Sequence, residues 1–143
     1  MTTPEPLHHG ACLCQGVRFT IHGPLAPIQI CHCAQCRRAQ GGAFAANIPV
    51  AAGRLHFASG QDLLRRFESS PGKMRAFCSV CGSPVFSQRA GLPGVVRIRA
   101  GLLAEPVATA PQFHMHVASR CSWWPIHDGL RQYPQGHVPP PGG

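Results

Sequence analysis

The segment Cys31-His32-Cys33-Ala34-Gln35-Cys36 places three cysteines within six residues, and it decides how this chain folds. Two smaller groups flank it, Cys12-x-Cys14 and Cys78-x-x-Cys81. Thiols one or two residues apart around a turn can converge on one metal ion, and zinc accepts a thiolate tetrahedron with bonds of about 2.3 Å. Seven of the eight cysteines fall in these groups, and seven divides into four plus three. We therefore predict one closed structural zinc site and one zinc site with a vacant position, where chemistry can occur.

Disulfides and an iron–sulfur cluster are the competing uses of these cysteines. Residues 1–7 have neither the basic start nor the apolar core of an export signal, which predicts a cytoplasmic location where thiols stay reduced. Cys-x-Cys neighbours are poorly placed to bridge each other. The central group also lacks the usual spacing of either ferredoxin type. The pattern therefore favours zinc.

The length and composition indicate one metal-dependent domain. The chain has 143 residues, of which 44% are hydrophobic and only 7% aromatic, so its core is light. Ordering the backbone costs on the order of 1 kcal/mol per residue, whereas a structural zinc can return roughly 10 to 16 kcal/mol of apparent binding energy. We expect metal to be part of the fold. No stretch is long and apolar enough to predict a membrane span.

The charge of the chain is strongly positive and almost entirely arginine. The formal net charge is +8, and Lys73 is the single lysine among 13 basic residues. Pairs occur at Arg37-Arg38 and Arg65-Arg66, and Arg97 and Arg99 alternate on one predicted strand face. We expect most of these side chains to lie on solvated strand faces. The absence of a basic run or an interleaved aromatic series argues against nucleic acid as a partner.

The pattern of apolar residues predicts short strands separated by turns. Val17, Phe19 and Ile21 alternate with polar residues, which is typical of a half-buried strand, and Ile28 and Ile30 lead into the central cysteine group. Sixteen glycines and fifteen prolines argue against long helices, so we expect at most a short helix over 36–40. Further strands are predicted at 43–48, 54–57, 63–67, 73–77, 84–87, 95–100 and 113–117.

These elements predict an all-β domain, a sandwich or barrel of short antiparallel strands held partly by metal. We place the zinc-binding domain at residues 10–134, after a flexible N-terminus at 1–9. Residues 135–143 are rich in proline and glycine and are predicted to form a disordered tail.

The motifs resemble those of the glutathione-dependent formaldehyde-activating enzyme family, which also includes centromere-protein-V-like proteins. The resemblance runs from about Gly10 to Val117. It rests on the cysteine groups and the residues around them: Gly10-x-Cys12-x-Cys14, Val17-x-Phe19, Cys31-His32-Cys33-x-x-Cys36-Arg37-Arg38 with Gly41, and Pro71-Gly72-x-x-Arg75-x-Phe77-Cys78-x-x-Cys81-Gly82-Ser83.

The resemblance implies a small zinc-binding, Mss4-like β fold and carbon–sulfur lyase activity. It also implies the division of ligands, with Cys12, Cys14, Cys78 and Cys81 around the closed zinc and Cys31, Cys33 and Cys36 around the open, catalytic zinc. Spacing alone leaves this division open, because Cys12 and Cys14 could instead join the central group. One departure is that Gln15 stands where the family usually has glycine, so the turn after Cys14 could differ in shape.

Three thiolates and a vacancy favour chemistry on sulfur. Three thiolates leave a zinc site with a net charge of −1, which makes it a poor activator of water, but such a site can hold a substrate thiol as the nucleophilic thiolate. Addition of a small aldehyde to that sulfur gives a hemithioacetal, and the reverse step cleaves a carbon–sulfur bond. We therefore expect an S-hydroxymethylglutathione synthase-like enzyme acting on adducts of glutathione, or a similar thiol, with formaldehyde or another small aldehyde.

Candidate roles follow for residues beside the central group. Arg37 and Arg38 could bind the carboxylates of the thiol substrate. His32 could relay a proton to the developing alkoxide, since imidazole titrates near neutral pH. His114 matches a histidine that recurs near the C-terminal strand of the family, where a hydrogen-bonded structural role is the simpler explanation.

Two alternatives stay open. Cys121, or His8 or His9, could fill the vacant position, which would close the second site and exclude catalysis there; we expect Cys121 to be a free thiol. The protein could also be a non-catalytic, zinc-stabilised binding module for acidic partners or nucleic acid. Nothing in the sequence specifies an oligomeric state.

Overall fold

Most of the regular secondary structure consists of strands, which are arranged in two sheets. The computed structural model describes residues 5–138. The all-β class is confirmed, and the described residues contain one α-helix, α1, at Ala34–Gln40. The strands are β1 Leu7–Ala11, β2 Arg18–His22, β3 Ile28–Cys31, β4 Ala45–Ala51, β5 Leu55–Ser59, β6 Leu64–Ser70, β7 Lys73–Cys78, β8 Pro84–Arg89, β9 Val95–Arg99, β10 Pro111–Met115 and β11 Arg131–Gln132.

The smaller sheet has the order β1-β2-β5 and the larger has the order β11-β10-β3-β4-β9-β8-β7-β6, so within the described residues both sheets are open. Most pairings are antiparallel, as predicted. The pairs β3–β10 and β10–β11 are parallel instead. A parallel pair needs a long crossover. Strands β4 to β9 supply it between β3 and β10, and residues 116–130 supply it between β10 and β11.

The core lies between the small sheet and one face of the large sheet. Phe57 of β5 contacts Phe19 and Phe86, each at 6.2 Å between ring centroids. The pattern of β9 shows why only one face is apolar, since Val96 and Ile98 enter this core while Arg97 and Arg99 point the opposite way. The second face of the large sheet therefore carries polar side chains, and α1 lies against it.

Strand pairing and tertiary contacts extend past the boundaries predicted for the zinc-binding domain at both ends. Strand β1 begins at Leu7, which pairs with His22 and lies inside the stretch predicted as the flexible N-terminus. In the predicted tail, the carbonyl of Gln135 accepts a hydrogen bond from the His116 amide, and His137 stacks on Tyr133 at 3.8 Å. Residues 1–4 and 139–143 lie outside the described residues. No helix in the part of the chain that the structure describes has the length and apolar character of a membrane span.

Candidate metal centres and active-site cavity

Four cysteines from two turns converge at one edge of the molecule. Cys12 and Cys14 lie in the turn between β1 and β2, and Cys78 and Cys81 lie at the turn between β7 and β8, with all four sulfurs within 4.8 Å of one another. The sulfur of Cys14 is 3.6 Å from that of Cys12 and 3.8 Å from that of Cys78. A tetrahedron with zinc–sulfur bonds of about 2.3 Å has edges of about 3.8 Å. This group can therefore hold a metal ion, and it joins the two sheets.

Neutral donors shape this four-cysteine group. The amides of Gly16 and Val17 donate to the sulfurs of Cys14 and Cys12 at 3.4 and 3.3 Å. A hydrogen bond with the Ser83 hydroxyl at 3.2 Å lowers the pKa of Cys81 to about 5. All eight cysteines are free of disulfides, as the zinc interpretation requires.

The turn after Cys14 shows how the departure from the family pattern is accommodated. Gln15 has φ +62°, and Gly82, after Cys81, has φ +78°. Both residues therefore occupy the left-handed region that glycine enters at little cost. Gln15 takes the backbone conformation for which glycine would be the simpler choice.

The second group brings together the sulfurs of Cys31, Cys33 and Cys36 within 4.8 Å. Cys31 ends β3, and Cys33 is the N-cap of α1, where its sulfur accepts a hydrogen bond from the Cys36 amide at 3.3 Å. Cys31 and Cys36 are buried, whereas Cys33 is partly exposed. One strand end and one helix start thus present three sulfurs with an accessible side.

Among residues 5–138, no other His, Cys, Asp or Glu side chain joins these three sulfurs. Cys121 is buried elsewhere, Nε2 of His8 donates to the Gly23 carbonyl oxygen at 3.1 Å, and His9 lines a different cavity. The group therefore consists of three cysteines, which can hold a metal ion with a position left for another ligand.

A guanidinium contacts the three-cysteine group from the neighbouring strand. Arg75 of β7 donates to the Cys36 sulfur at 3.6 Å and to the Ser69 hydroxyl at 2.9 Å. Hydrogen bonds from Cys31 and Cys33, together with this one from Arg75, lower the pKa of the Cys36 thiol. Cys36 is thus biased toward the thiolate even before a metal binds, whereas hydrogen bonds with Cys33 and Cys36 raise the pKa of Cys31.

A cavity of about 340 Å³ opens directly over the three-cysteine group. Its wall contains no carboxylate, and it includes three cations and one imidazole. The lining residues are Cys31, Cys33, Ala34, Gln35, Asn47, Ser70, Lys73, Arg89, Arg97, Met115 and His116.

The cations belong to a larger set on one face of the large sheet. Lys73 lies opposite Arg89, and both Arg75 and Arg97 lie opposite Ser87 in the strand register, which puts them on the same face. Arg99 lies two residues after Arg97 and therefore on the same face of β9. We call this set the cationic face, and it comprises Lys73, Arg75, Arg89, Arg97 and Arg99.

The expectation of solvated strand faces is wrong for the inner arginines. Arg75, Arg97 and Arg99 are only 8%, 8% and 4% exposed. Arg97 donates to the Gln29 side chain at 3.2 Å, and Arg99 donates to Gln40 at 3.1 Å and to Asn47. Burial lowers the pKa of Arg99 to about 10. Within residues 5–138 the one ion pair is between His114 and Asp128, so these buried guanidiniums have no carboxylate partner.

The predicted substrate-binding arginines lie away from this cavity. Arg38 is exposed and Arg37 is half-buried on α1, and neither lines the cavity. Lys73, Arg89 and Arg97 line it instead, and sequence reasoning missed them. The signal that could have found them is the alternation of cations on two predicted strands in a chain with only five acidic residues.

His32 also points away from the cavity. Its Nε2 is 2.7 Å from Nδ1 of His114, whose Nε2 is 2.8 Å from a carboxylate oxygen of Asp128. Because a carboxylate only accepts, His114 donates to Asp128 and accepts from His32. Burial lowers the pKa of His32 to about 4, which keeps its ring neutral. The hydrogen-bonded structural role that we expected for His114 therefore fits both histidines.

His116 is the imidazole that lines the cavity. It follows β10 and has φ +57°, a conformation that non-glycine residues rarely adopt and that ends the strand two residues before the predicted boundary. Burial lowers the pKa of His116. A neutral imidazole thus lies on the cavity wall, where it can accept or return a proton.

Comparison with known proteins identifies the family of this chain and a solved structure with a similar fold. The sequence profile of the family described as glutathione-dependent formaldehyde-activating enzyme matches residues 7–119. A solved structure of a Rhodobacter sphaeroides protein is similar in fold, with a TM-score of 0.58 and 24% identity over 69% of this chain and 89% of that chain. No curated protein matches significantly. The chain belongs to the glutathione-dependent formaldehyde-activating enzyme family.

Proposed function

We propose that this protein is a zinc-dependent carbon–sulfur lyase that makes and breaks adducts of a thiol such as glutathione with formaldehyde or another small aldehyde. The observation that carries the proposal is the three-cysteine group beneath a cavity that has three cations and no carboxylate on its wall. Membership of the family supports the same reaction class.

Cys31, Cys33 and Cys36 would hold the catalytic zinc, and Cys12, Cys14, Cys78 and Cys81 the structural zinc. When bound at the three-cysteine group, zinc would supply a Lewis-acidic position that keeps a substrate thiol deprotonated. Reduced cysteines in both groups suit the cytoplasm, which is the location we propose.

The cavity wall would attract and orient the substrate. Two carboxylates and a thiolate are anions, and Lys73, Arg89 and Arg97 offer them positive charge in a partly desolvated site. Arg97 is held in place by Gln29, so its guanidinium is oriented before the substrate arrives.

His116 would accept and donate the proton that the reaction moves. In the forward direction the substrate thiol gives its proton to the imidazole, the thiolate sulfur bonds to the aldehyde carbon, the carbon–oxygen π pair moves to oxygen, and that oxygen takes the proton back from the imidazole. In reverse, the hydroxyl loses the proton and the carbon–sulfur bond breaks, with its electron pair returning to sulfur. A neutral imidazole on the wall can accept that proton in the cleavage direction.

The test measures exchange of ¹³C-formaldehyde between free and thiol-bound forms by NMR, because the uncatalysed addition is itself quick. Zinc-loaded protein should accelerate exchange with glutathione, and Cys33→Ser should abolish the acceleration. Cys121→Ser is the matched control and should behave as wild type, since Cys121 belongs to neither cysteine group. No acceleration with any of several thiols and aldehydes would reject the proposal.

A further inference from the structure

Strand β6 forms one edge of the large sheet, and within residues 5–138 it pairs with β7 alone. Its sequence contains no proline, and residues 65–68 are all exposed. The register shift against β7 comes only after Glu68, so most of the strand is regular. A free, regular edge of this kind is a template on which another strand can pair.

The backbone hydrogen bonds show which residues of β6 face the free edge. The Ser79 amide donates to the Leu63 carbonyl at 2.9 Å, so Leu64 lies at a position of the β6–β7 ladder where the paired residues do not bond to each other. This pattern alternates along an antiparallel pair. Leu64, Arg66 and Glu68 therefore direct their amides and carbonyls away from β7, and the residues between them bond to β7.

Opposite charges flank an exposed aromatic ring on this edge. Arg66 and Glu68 lie two residues apart and therefore on the same face of β6, and Phe67 lies between them on the other face. Phe67 is 63% exposed. Neither charged side chain has an ion-pair partner in the part of the chain that the structure describes. The guanidinium of Arg66 lies 5.8 Å from the centre of the Phe86 ring.

We propose that two copies of this chain associate by antiparallel pairing of their β6 strands about a two-fold axis at Phe67. This register places Arg66 opposite Glu68 of the second copy, and symmetry makes that pair twice. Both residues direct their backbone groups outward, so they also exchange the hydrogen bonds of the new ladder. Phe67 then faces Phe67 of the second copy. An axis at Arg66 or at Glu68 would instead place like charges opposite each other, which is destabilising.

The first test is sedimentation equilibrium of the zinc-loaded protein over a range of concentrations, where wild type should show monomer and dimer. Arg66→Glu and Glu68→Arg should each weaken dimerisation about tenfold or more, because two attractive pairs become repulsive. The double variant Arg66→Glu/Glu68→Arg should restore the dimer, since opposite charges meet again. Arg38→Glu makes the same charge change on the exposed face of α1 and should leave the association unchanged.

A second measurement tests the register by cross-linking. Residues that face each other without backbone hydrogen bonds have Cα atoms about 4.5 Å apart, which a disulfide can bridge. Phe67→Cys, made together with Cys121→Ser to remove the native thiol outside the two cysteine groups, should therefore form a covalent dimer in air. Arg65→Cys in the same background is the control, because in this register it lies about 13 Å from its own copy. Non-reducing electrophoresis measures both.

A wild type that stays monomeric at every concentration, or a dimer that both single charge reversals leave intact, would overturn the inference. A folded double variant that does not dimerise, or equal cross-linking at positions 65 and 67, would reject the register. If Arg66→Glu unfolds because its contact with Phe86 is lost, Glu68→Arg and the cross-linking pair still decide the question.

Discussion

Cys78→Ser should unfold the protein, whereas Cys33→Ser should leave it folded with one zinc fewer. The four-cysteine group joins turns from different sheets, and Cys14 and Cys78 are 64 positions apart in sequence. Cys78 is fully buried within the main apolar cluster. A structural zinc contributes roughly 10 to 16 kcal/mol of apparent binding energy, against a total stability of about 5 to 15 kcal/mol for a native domain. The free energy lost with this zinc site should therefore equal or exceed the total free energy of unfolding.

The Cys33→Ser variant makes the same chemical change in a different setting. Cys33 is the N-cap of α1 and its sulfur accepts from the Cys36 amide. Serine is a preferred N-cap residue, so the helix start should be kept. We expect loss of about one zinc of two, with a melting temperature within a few degrees of wild type.

The assay combines zinc stoichiometry on the purified proteins with circular dichroism and thermal melts, each with and without a chelator. Wild type should bind two zinc ions and unfold when both are removed. A folded Cys78→Ser protein with a melting temperature near that of wild type would refute the reasoning, as would loss of both zinc ions in Cys33→Ser.

Gly10→Ala should destabilise the fold by about 1 to 3 kcal/mol in urea denaturation, because its Cβ would lie 2.3 Å from Cζ of the buried Phe19. Gly53→Ala, where a Cβ meets nothing within 4 Å, is its control. His32 is held neutral with its pKa at about 4, below the ordinary 6.5, so the unfolded chain binds a proton that the folded chain does not. The free energy of unfolding should be constant above pH 6.5 and fall by at most about 3 kcal/mol between pH 6.5 and 4, measured as urea midpoints against His32→Phe. His116→Gln should lower kcat with little change in KM and remove an ionisation from the pH profile of kcat, measured in the formaldehyde-exchange assay.

Each of these has an outcome that contradicts it. Equal urea midpoints for Gly10→Ala and Gly53→Ala would show that the aromatic ring moves aside freely. An identical fall between pH 6.5 and 4 in wild type and His32→Phe would assign the acid sensitivity to other groups, such as the thiolates. A pH profile of kcat in His116→Gln that matches wild type would exclude proton transfer by this imidazole.

The sequence was sufficient for most of the strands, because alternation is a local pattern, whereas the division of the cysteines into two groups came from the family resemblance, because local spacing left it open. Alternation predicted β2 and β9, and the Cys-x-x-Cys turns carry their ligands close together whatever the sheets do. The position of Arg37 and Arg38 relative to the cavity depends instead on how α1 is rotated on the sheet, which sequence neighbours do not fix. The solvent exposure expected for Arg97 was wrong for a related reason. Alternation shows that Arg97 lies on the other face of β9 from Val96 and Ile98, but it does not show that α1 lies against that face.

The two groups use the same type of side chain, the cysteine thiol, but the charges around them differ, and so does the chemistry that they favour. The four-cysteine group receives neutral donors, the amides of Gly16 and Val17 and the hydroxyl of Ser83, and its four sulfurs complete a metal's coordination without help from a substrate. The three-cysteine group lies on the cationic face, where Arg75 contacts one sulfur and the other guanidiniums have no carboxylate partner within residues 5–138. Three thiolates with one divalent ion carry a charge of −1, which leaves this face with surplus positive charge. That surplus destabilises the empty site and is relieved by an anionic substrate, so the features that weaken the fold here are those that would favour binding of a thiolate with carboxylates.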